Sequence, residues 1–507
     1  MHAALLFASL SLFAAPSLTV PGGEVEVGEA GTLALEPIEV SLRSGGTAPG
    51  EFGMLWTKLV RSNPESATIG VTVWRFKASE DAPPDVPPVF LLHGGPGWPG
   101  LEGDLARPGY YEQEIAPRLQ VSDLIVVGQR GIGSCYPSTS CEGFDAEPWA
   151  DDASVATKAE NLQAACSACK QHLESKGFDL SGFNVLEAAG DLEEIRTLLG
   201  YDQITLWGTS FGSHWAMAML RLHPTSVARA VMSGMEGPDH TYDMPSGILE
   251  ALESMAAQAE LSPKLAGRIP DGGLIEALWQ IVESVEDEPI EIEVEHPRTR
   301  EATTIVIDAE VVQTASQGYT GRVGSRRSIS TWPADIIALY EGEFERLAQA
   351  YIAQADGDDS LRLSTASFYM LDCGSGISAE RRKRQDSDPA ARLVGALGNY
   401  YDMTCPAWGA DLGDAFRAGF TTDVPVVVVH GTWDVSTPFS NALECLPLFD
   451  DVHFVVVEGG SHGALNEARR QFPEFDAALM DFVASGERTN LPEELRMPPI
   501  SWAAPHN

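Results

Sequence analysis

The sequence predicts an α/β fold: a doubly wound, mostly parallel sheet with a large, mainly helical insertion. Three observations predict it. Short apolar runs alternate with helical stretches in the first half of the chain. Glycine-rich motifs recur where those runs stop, the place where functional residues gather in such sheets. From about Pro238 to Gly419 the alternation gives way to long helical stretches, and then it resumes. The 507 residues exceed one ordinary core and fit two domains, or one domain with a large insertion.

The elements follow in order. Phe52 to Val60 and Ile69 to Lys77 read as strands, broken at Asn63-Pro64-Glu65. Asp81 to Pro88 is a proline-rich loop. Val89 to Leu92 is a short buried strand ending in His93-Gly94-Gly95-Pro96-Gly97. Leu124 to Val127 is another, ending in Gly128-Gln129-Arg130-Gly131-Ile132-Gly133. Ala188 to Leu199 carries Leu192, Ile195 and Leu199 on one helical stripe and is closed by Gly200. Ile204 to Trp207 and Ala228 to Met232 are further strands. Within the insertion, Ile248 to Glu260 and Ala334 to Ala355 read as helices, and Ile290 to Val294 with Thr303 to Ile307 as a charged β patch. The sheet resumes at Val424 to Val429 and Val452 to Val457, with a last helix over Phe475 to Val483. This divides the chain into a signal-like segment at 1–20, a first core part at 50–237, an inserted cap at 238–419 and a second core part at 420–507.

Charge narrows the function classes. With 73 acidic against 33 basic residues the formal net charge is −40, which disfavours nucleic acid and would draw cationic ligands such as a peptide amine. The N-terminal stretch Met1 to Pro16 is an apolar run of signal-peptide length ending in small residues, although it lacks a basic n-region. Export, to the periplasm or beyond, is the expectation, with no stable membrane insertion. Seven cysteines fit an exported protein with some disulfides, and their odd number implies at least one free thiol. Cys166-Ser167-Ala168-Cys169 reads as a helix carrying disulfide partners. No metal-ligand cluster such as H-E-x-x-H is present, and no cofactor is expected.

The chemistry centres on Gly208-Thr209-Ser210-Phe211-Gly212. It stands between an apolar strand and a helix-like stretch, the context of a nucleophile elbow. The small flanking residues have a reason, since a Cβ in so sharp a turn would strike neighbouring elements. The motif alone is weak, and Gly459-Gly460-Ser461-His462-Gly463 matches it too. Chain order decides between them. An α/β-hydrolase triad runs Ser, then acid, then His. Only Ser210 leaves room for both partners. Asp434 closes the strand ending at His430-Gly431-Thr432-Trp433, and His462 follows the next strand. Ser210, Asp434 and His462 thus stand in order, each at a strand end. His462 would take the Ser210 proton, and Asp434 would orient the imidazole. The oxyanion donors expected are the amides of Phe211 and Gly95. His93 and His430 read as structural, His453 as packing, and Arg130 as pinning the glycine-rich loop by charge-assisted bonds.

These residues resemble the prolyl aminopeptidase and tripeptidyl aminopeptidase group of α/β-hydrolase serine peptidases. The resemblance rests on His93 to Gly97, Gly128 to Gly133, Ala188 to Arg196 running to Leu199-Gly200, the elbow, Gly431 to Pro438 and Gly460 to Gly463. It covers about 50–240 and 420–485. It implies removal of residues from a free peptide N-terminus, with the cap closing over the site. Size, cysteines and export are similar to the tripeptidyl branch, and a Cys373–Cys405 disulfide is implied. Two positions depart: Phe211 where the group carries Tyr or Trp, and Gly128 where it carries Asp, which removes a loop carboxylate that could partner Arg130. N-terminal selectivity needs carboxylates facing the substrate amine, and Glu236 is the candidate. The alternatives are a carboxylesterase-like hydrolase with the same triad and a catalytically dead binding protein.

Overall fold

A computed structural model describes residues 26–144, 155–295, 300–317, 325–357, 364–395 and 399–505. The signal-like segment at 1–20 lies outside the described residues. Ten strands form one sheet. β1 (Thr32–Ser41), β2 (Thr47–Lys58) and β3 (Thr68–Phe76) make an antiparallel meander. β4 (Val89–Leu92), β5 (Leu124–Val127), β6 (Ile204–Thr209) and β7 (Val227–Ser233) supply the first part of the parallel region. After a long excursion that carries the hairpin β8 (Ile290–Glu295) and β9 (Ala302–Ile307), the sheet continues with β10 (Val426–Gly431), β11 (Val452–Glu458) and the short β12 (Glu494–Arg496). The order is β1-β2-β3-β5-β4-β6-β7-β10-β11-β12. From β5 onward every pairing is parallel.

The central strands are buried on both faces, which is why they read as continuous Val, Leu and Ile runs and not as alternating ones. Alternate side chains go to two separate cores. Phe90, Leu92, Leu206 and Val428 point to one face, packed by the helices Val185–Leu198 and Phe211–Leu222. Leu91, Trp207, Val231 and Val429 point to the other, packed by the segment after β4 and the helices Ala464–Gln471 and Pro473–Ser485.

The region between β7 and β10 is mainly helical and has a core of its own. Sequence expectation and structure differ there in one element. Ala334 to Ala355 is not one helix but two, Trp332–Tyr340 and Glu345–Gly357. The break falls at Gly342, whose φ of 89° suits glycine and ends the first helix.

Two disulfides are present. Cys373–Cys405 joins two helices of the inserted region, as the resemblance implied, and Cys141–Cys169 ties the loop after β5 to the helix Val155–Ser175. Cys135, Cys166 and Cys445 are free and buried. Among the described residues no helix is long and apolar enough to cross a membrane.

Candidate active site

The elbow forms where the sequence places it. Ser210 stands between β6 and the helix Phe211–Leu222 with φ 57° and ψ −131°. Such a backbone in a non-glycine residue costs roughly 1–3 kcal/mol and persists only when its surroundings enforce it. They do so here. The Ser210 amide donates to the Ser233 carbonyl at 2.9 Å, and the Ser213 amide and hydroxyl both donate to the Ser210 carbonyl at 2.7 Å. The flanking glycines are steric necessities. A Cβ on Gly208 would sit 2.2 Å from the Gly212 carbonyl oxygen, and one on Gly212 would sit 2.1 Å from that of Leu92.

Asp434 follows β10 and is fully buried. Its carboxylate accepts from the Ser436 amide at 2.8 Å, the Thr437 amide at 2.9 Å and the Thr437 hydroxyl at 2.8 Å. It faces His462 Nδ1 at 2.9 and 3.1 Å. Burial pushes its pKa up, but the charge and hydrogen bond of His462 outweigh that and hold it down at about 2. With Nδ1–H engaged by Asp434, His462 keeps Nε2 as its basic nitrogen.

His462 and Ser210 meet at Gly234. A Cβ on this residue would lie 3.1 Å from His462 Cε1, 3.3 Å from the Ser210 amide nitrogen and 3.3 Å from the Thr437 hydroxyl. Gly234 therefore keeps open the space where His462, Thr437 and Ser210 converge. Its sequence context gave no sign of this, because nothing marks it off from other glycines at strand ends.

Of the two expected oxyanion residues, Gly95 lines the cavity over Ser210 and Phe211 follows Ser210 in the chain. Phe211 is the first residue of its helix, where amides lack intrahelical partners. Gly95 lines the cavity beside Ser210 with φ 119°, and Gly94 packs so tightly that a Cβ there would be 2.9 Å from Ser210 Cβ. The loop is held by Gln129, whose Oε1 accepts from the Gly97 amide at 3.0 Å. Its Nε2 donates to the carbonyls of Gly94 at 3.1 Å and His93 at 3.3 Å.

Arg130, expected to pin a glycine-rich loop by charge-assisted bonds, anchors its own loop, Gly128 to Gly133, and not the one at His93 to Gly97. Its guanidinium donates to both oxygens of Asp191 and to the carbonyls of Leu59 and Gly182. The carboxylate partner that Gly128 seemed to remove comes from the helix Val185–Leu198 instead. Gly128 could not carry one, since its Cβ would lie 2.1 Å from Thr72 Oγ1. His430 is structural as expected: it takes the Met235 amide on Nδ1 and meets the Thr437 carbonyl through Nε2. His453 meets the Pro492 carbonyl at the sheet edge.

A cavity of about 430 Å³ opens over Ser210 and His462, within the range of small-ligand sites. Glu236 lines it, as the sequence reading required. Two more carboxylates line it that sequence reasoning missed, Asp243 and Asp372. Asp372 comes from the helix Ala366–Ser375 of the inserted region and accepts from the Tyr401 hydroxyl at 2.5 Å. Burial pushes its carboxyl up, the Tyr401 bond opposes that, and the nearby charge of Asp243 adds to it; the result is about 7. Among the described residues no group of His, Cys, Asp and Glu is arranged to hold a metal ion.

With this geometry in view, the comparisons with known proteins are informative. The family profile for the alpha/beta hydrolase fold matches residues 87–468. The chain belongs to that family. Serine protease Hip1 of Mycobacterium tuberculosis is 22% identical over 440 residues, spanning 81% of this chain and 82% of Hip1. The putative hydrolase YuaR of Escherichia coli K12 is 26% identical over 155 residues, 31% of this chain and 29% of its own. Among solved structures, the proline iminopeptidase of Mycobacterium smegmatis aligns over 82% of this chain and 94% of its own, with 15% identity and a TM-score of 0.36. The chain is thus a hydrolase of the α/β-hydrolase fold, similar in sequence to a serine protease.

Proposed function

We propose that this protein is an exported serine aminopeptidase, of prolyl or tripeptidyl type, that cleaves short peptides from a free N-terminus. Ser210, Asp434 and His462 form its triad. Ser210 Oγ attacks the scissile carbonyl while His462 Nε2 takes its proton. The oxyanion is met by the amides of Phe211 and Gly95. The C–N bond then breaks, and His462 returns the proton to the leaving amine. Water, activated by the same histidine, hydrolyses the acyl ester and restores Ser210.

One observation carries the choice of aminopeptidase. Three carboxylates, Glu236, Asp243 and Asp372, wall the cavity on the side of β7 and the inserted region. Aromatic side chains, Phe368, Tyr400 and Tyr401, flank them. A neutral ester would gain nothing from such a wall, whereas a protonated amine would be held by it. The inserted region, read as a cap over 238–419, supplies Asp372 and closes this side. The two disulfides support export, and the sequence similarity to Hip1 supports peptidase chemistry.

The test is a panel of Pro-, Ala- and tripeptidyl anilides with free and blocked N-termini, beside short-chain nitrophenyl esters. Free-amine anilides should be cut, their blocked forms should not, and Ser210→Ala should abolish both amide and ester turnover. Turnover of esters alone would transfer the protein to the carboxylesterase reading. Glu236→Gln should raise KM for free-amine anilides and leave the KM of any neutral ester turned over unchanged.

A further inference from the structure

The cavity has a second end with opposite chemistry. The acidic wall belongs to one face of the sheet, where Phe368 and Tyr400 pack in the same core as Phe211. His93, Asp104, Arg107, Glu114 and Arg118 line the other end. All five belong to the segment between β4 and β5, whose Leu101, Ile115 and Leu119 pack into the opposite core with Trp207 and Leu465. Asn466, from the helix that follows His462, lines this end too. His462 lines the same cavity, two residues before that helix.

We infer that this second end is the leaving-group subsite and that it is built for an α-carboxylate, so that the substrates are short peptides free at both termini. The inference rests on the aminopeptidase reading. Three arguments support it. The first is mechanistic. His462 must hand its proton to the departing nitrogen, so the leaving group lies on the side of the cavity from which His462 comes.

The second is charge. Arg107 and Arg118 are the two arginines lining the cavity, no lysine joins them, and both are at this end. Arg469 and Arg470 also reach Glu114, at 3.0 and 3.6 Å. Arg469 also pairs with Asp476 at 2.7 Å, so four guanidinium groups face three carboxylates, Asp104, Glu114 and Asp476. At the other end Glu236, Asp243 and Asp372 line the wall. An extended zwitterionic peptide, ammonium at one end and carboxylate at the other, matches this polarity, and a long chain would not.

The third is hydrogen bonding. Arg118 is 2% exposed; its Nη1 is engaged by Glu114, while its Nε–H has no acceptor within the protein. His93 is 8% exposed, its Nδ1 lies 3.2 Å from Asp104 Oδ2, and its Nε2 has no partner. Buried polar atoms are rarely left so, and such exceptions in a cavity wall point to a missing ligand. A guanidinium N–H is a donor for a carboxylate. With Nδ1–H toward Asp104, His93 Nε2 is a lone pair, suited to accept the amide N–H of the departing residue.

The test compares matched peptides of two to five residues, all with free N-termini, as C-terminal acids and C-terminal amides, by chromatographic initial rates. The acid should be favoured by tenfold or more in kcat/KM, mainly through KM, and the preference should fade as the peptide lengthens. Arg118→Met should bring acid and amide toward equality. Arg118 is buried against Trp207, so Arg107→Gln at the rim serves as a second variant and should reduce the preference partially. Equal turnover of acid and amide by the unaltered protein would overturn the inference while leaving the aminopeptidase reading intact. Cleavage of neither peptide alongside turnover of esters would overturn both.

Discussion

At the scale of single residues, the site depends on groups that must be small as much as on groups that react. Ser210→Ala and Asp434→Asn should each lower kcat by roughly 10⁴-fold, the first for want of a nucleophile and the second because the imidazole loses its anchor. Gly234→Ala tests the space between them. Its Cβ would press on His462, Ser210 and Thr437 at a φ of 56°. Turnover should fall at least tenfold, while the circular dichroism of the fold is retained. Asp372 adds a pH dependence with a definite sign. Its folded pKa of about 7 lies above the ordinary carboxylate value, so ionisation is disfavoured in the folded state, and its contribution to stability declines as pH rises from about 4 to 7. Amine binding needs the ionised form. On the aminopeptidase reading, KM for free-amine peptides should therefore fall between pH 6 and 7, before the substrate amine itself loses its proton, and Asp372→Asn should flatten that limb with KM high throughout. Asp434 has the opposite sign: its folded pKa is depressed to about 2, so its contribution is complete above about pH 4 and lost as pH falls toward 2.

At the scale of elements, buried charge fixes how the core strands meet the first long helix. Asp191 is inaccessible to solvent and accepts from both Arg130 and Arg61. Arg61 also bonds to Glu187 and the Glu187 carbonyl, and Arg130 reaches the carbonyls of Leu59 and Gly182. One carboxylate thereby joins the β2–β3 turn, the loop after β5 and the helix Val185–Leu198. Asp191→Ala would strand buried Arg130 and should cost about 3–5 kcal/mol in chemical denaturation. How far such elements could be read from sequence follows from their chemistry. The nucleophile elbow, the strand ends at Asp434 and His462, and the central strands were legible, because a turn that tolerates only glycine and a strand buried on both faces leave strong local marks. β1 was not legible: Pro37 and two glutamates, Glu36 and Glu39, give it the character of an exposed edge. Asp243 and Asp372 were not legible either. They lie 129 residues apart and carry no motif. Only the fold of the insertion brings them to Ser210. Gln129 was hidden for the same reason, since its amide acts across 32 residues on Gly97.

At the scale of the whole molecule, the last residues of the described chain bind the inserted region to the catalytic loops. β12 joins the sheet edge beside β11, and the Met497 amide donates to the Glu458 carbonyl at 3.0 Å. The chain then crosses to the insertion, where the Ala503 amide donates to the Ser330 carbonyl at 2.9 Å and Lys264 bonds to the Ser501 hydroxyl at 2.6 Å. Trp502 is 5% exposed and belongs to the core of the insertion. Its ring lies 5.9 Å from that of Trp433, the residue before Asp434. Arg326 completes the connection, donating to the carbonyls of Gly459 and Pro498 next to the loop of His462. The loops that carry Asp434 and His462 are thus buttressed from the insertion, and on the proposed triad stability and catalysis should be linked through this strap. Trp502→Ala removes a large buried ring and should cost roughly 3–5 kcal/mol. At a temperature where the variant is still fully folded, kcat on a small ester should also fall by several-fold, because Trp433 loses a face of its packing and Asp434 its fixed approach to His462. An ester is the right probe, since it makes no use of the acidic wall. A variant with the expected loss of stability and an unchanged kcat would show that the strap holds the insertion without positioning the triad.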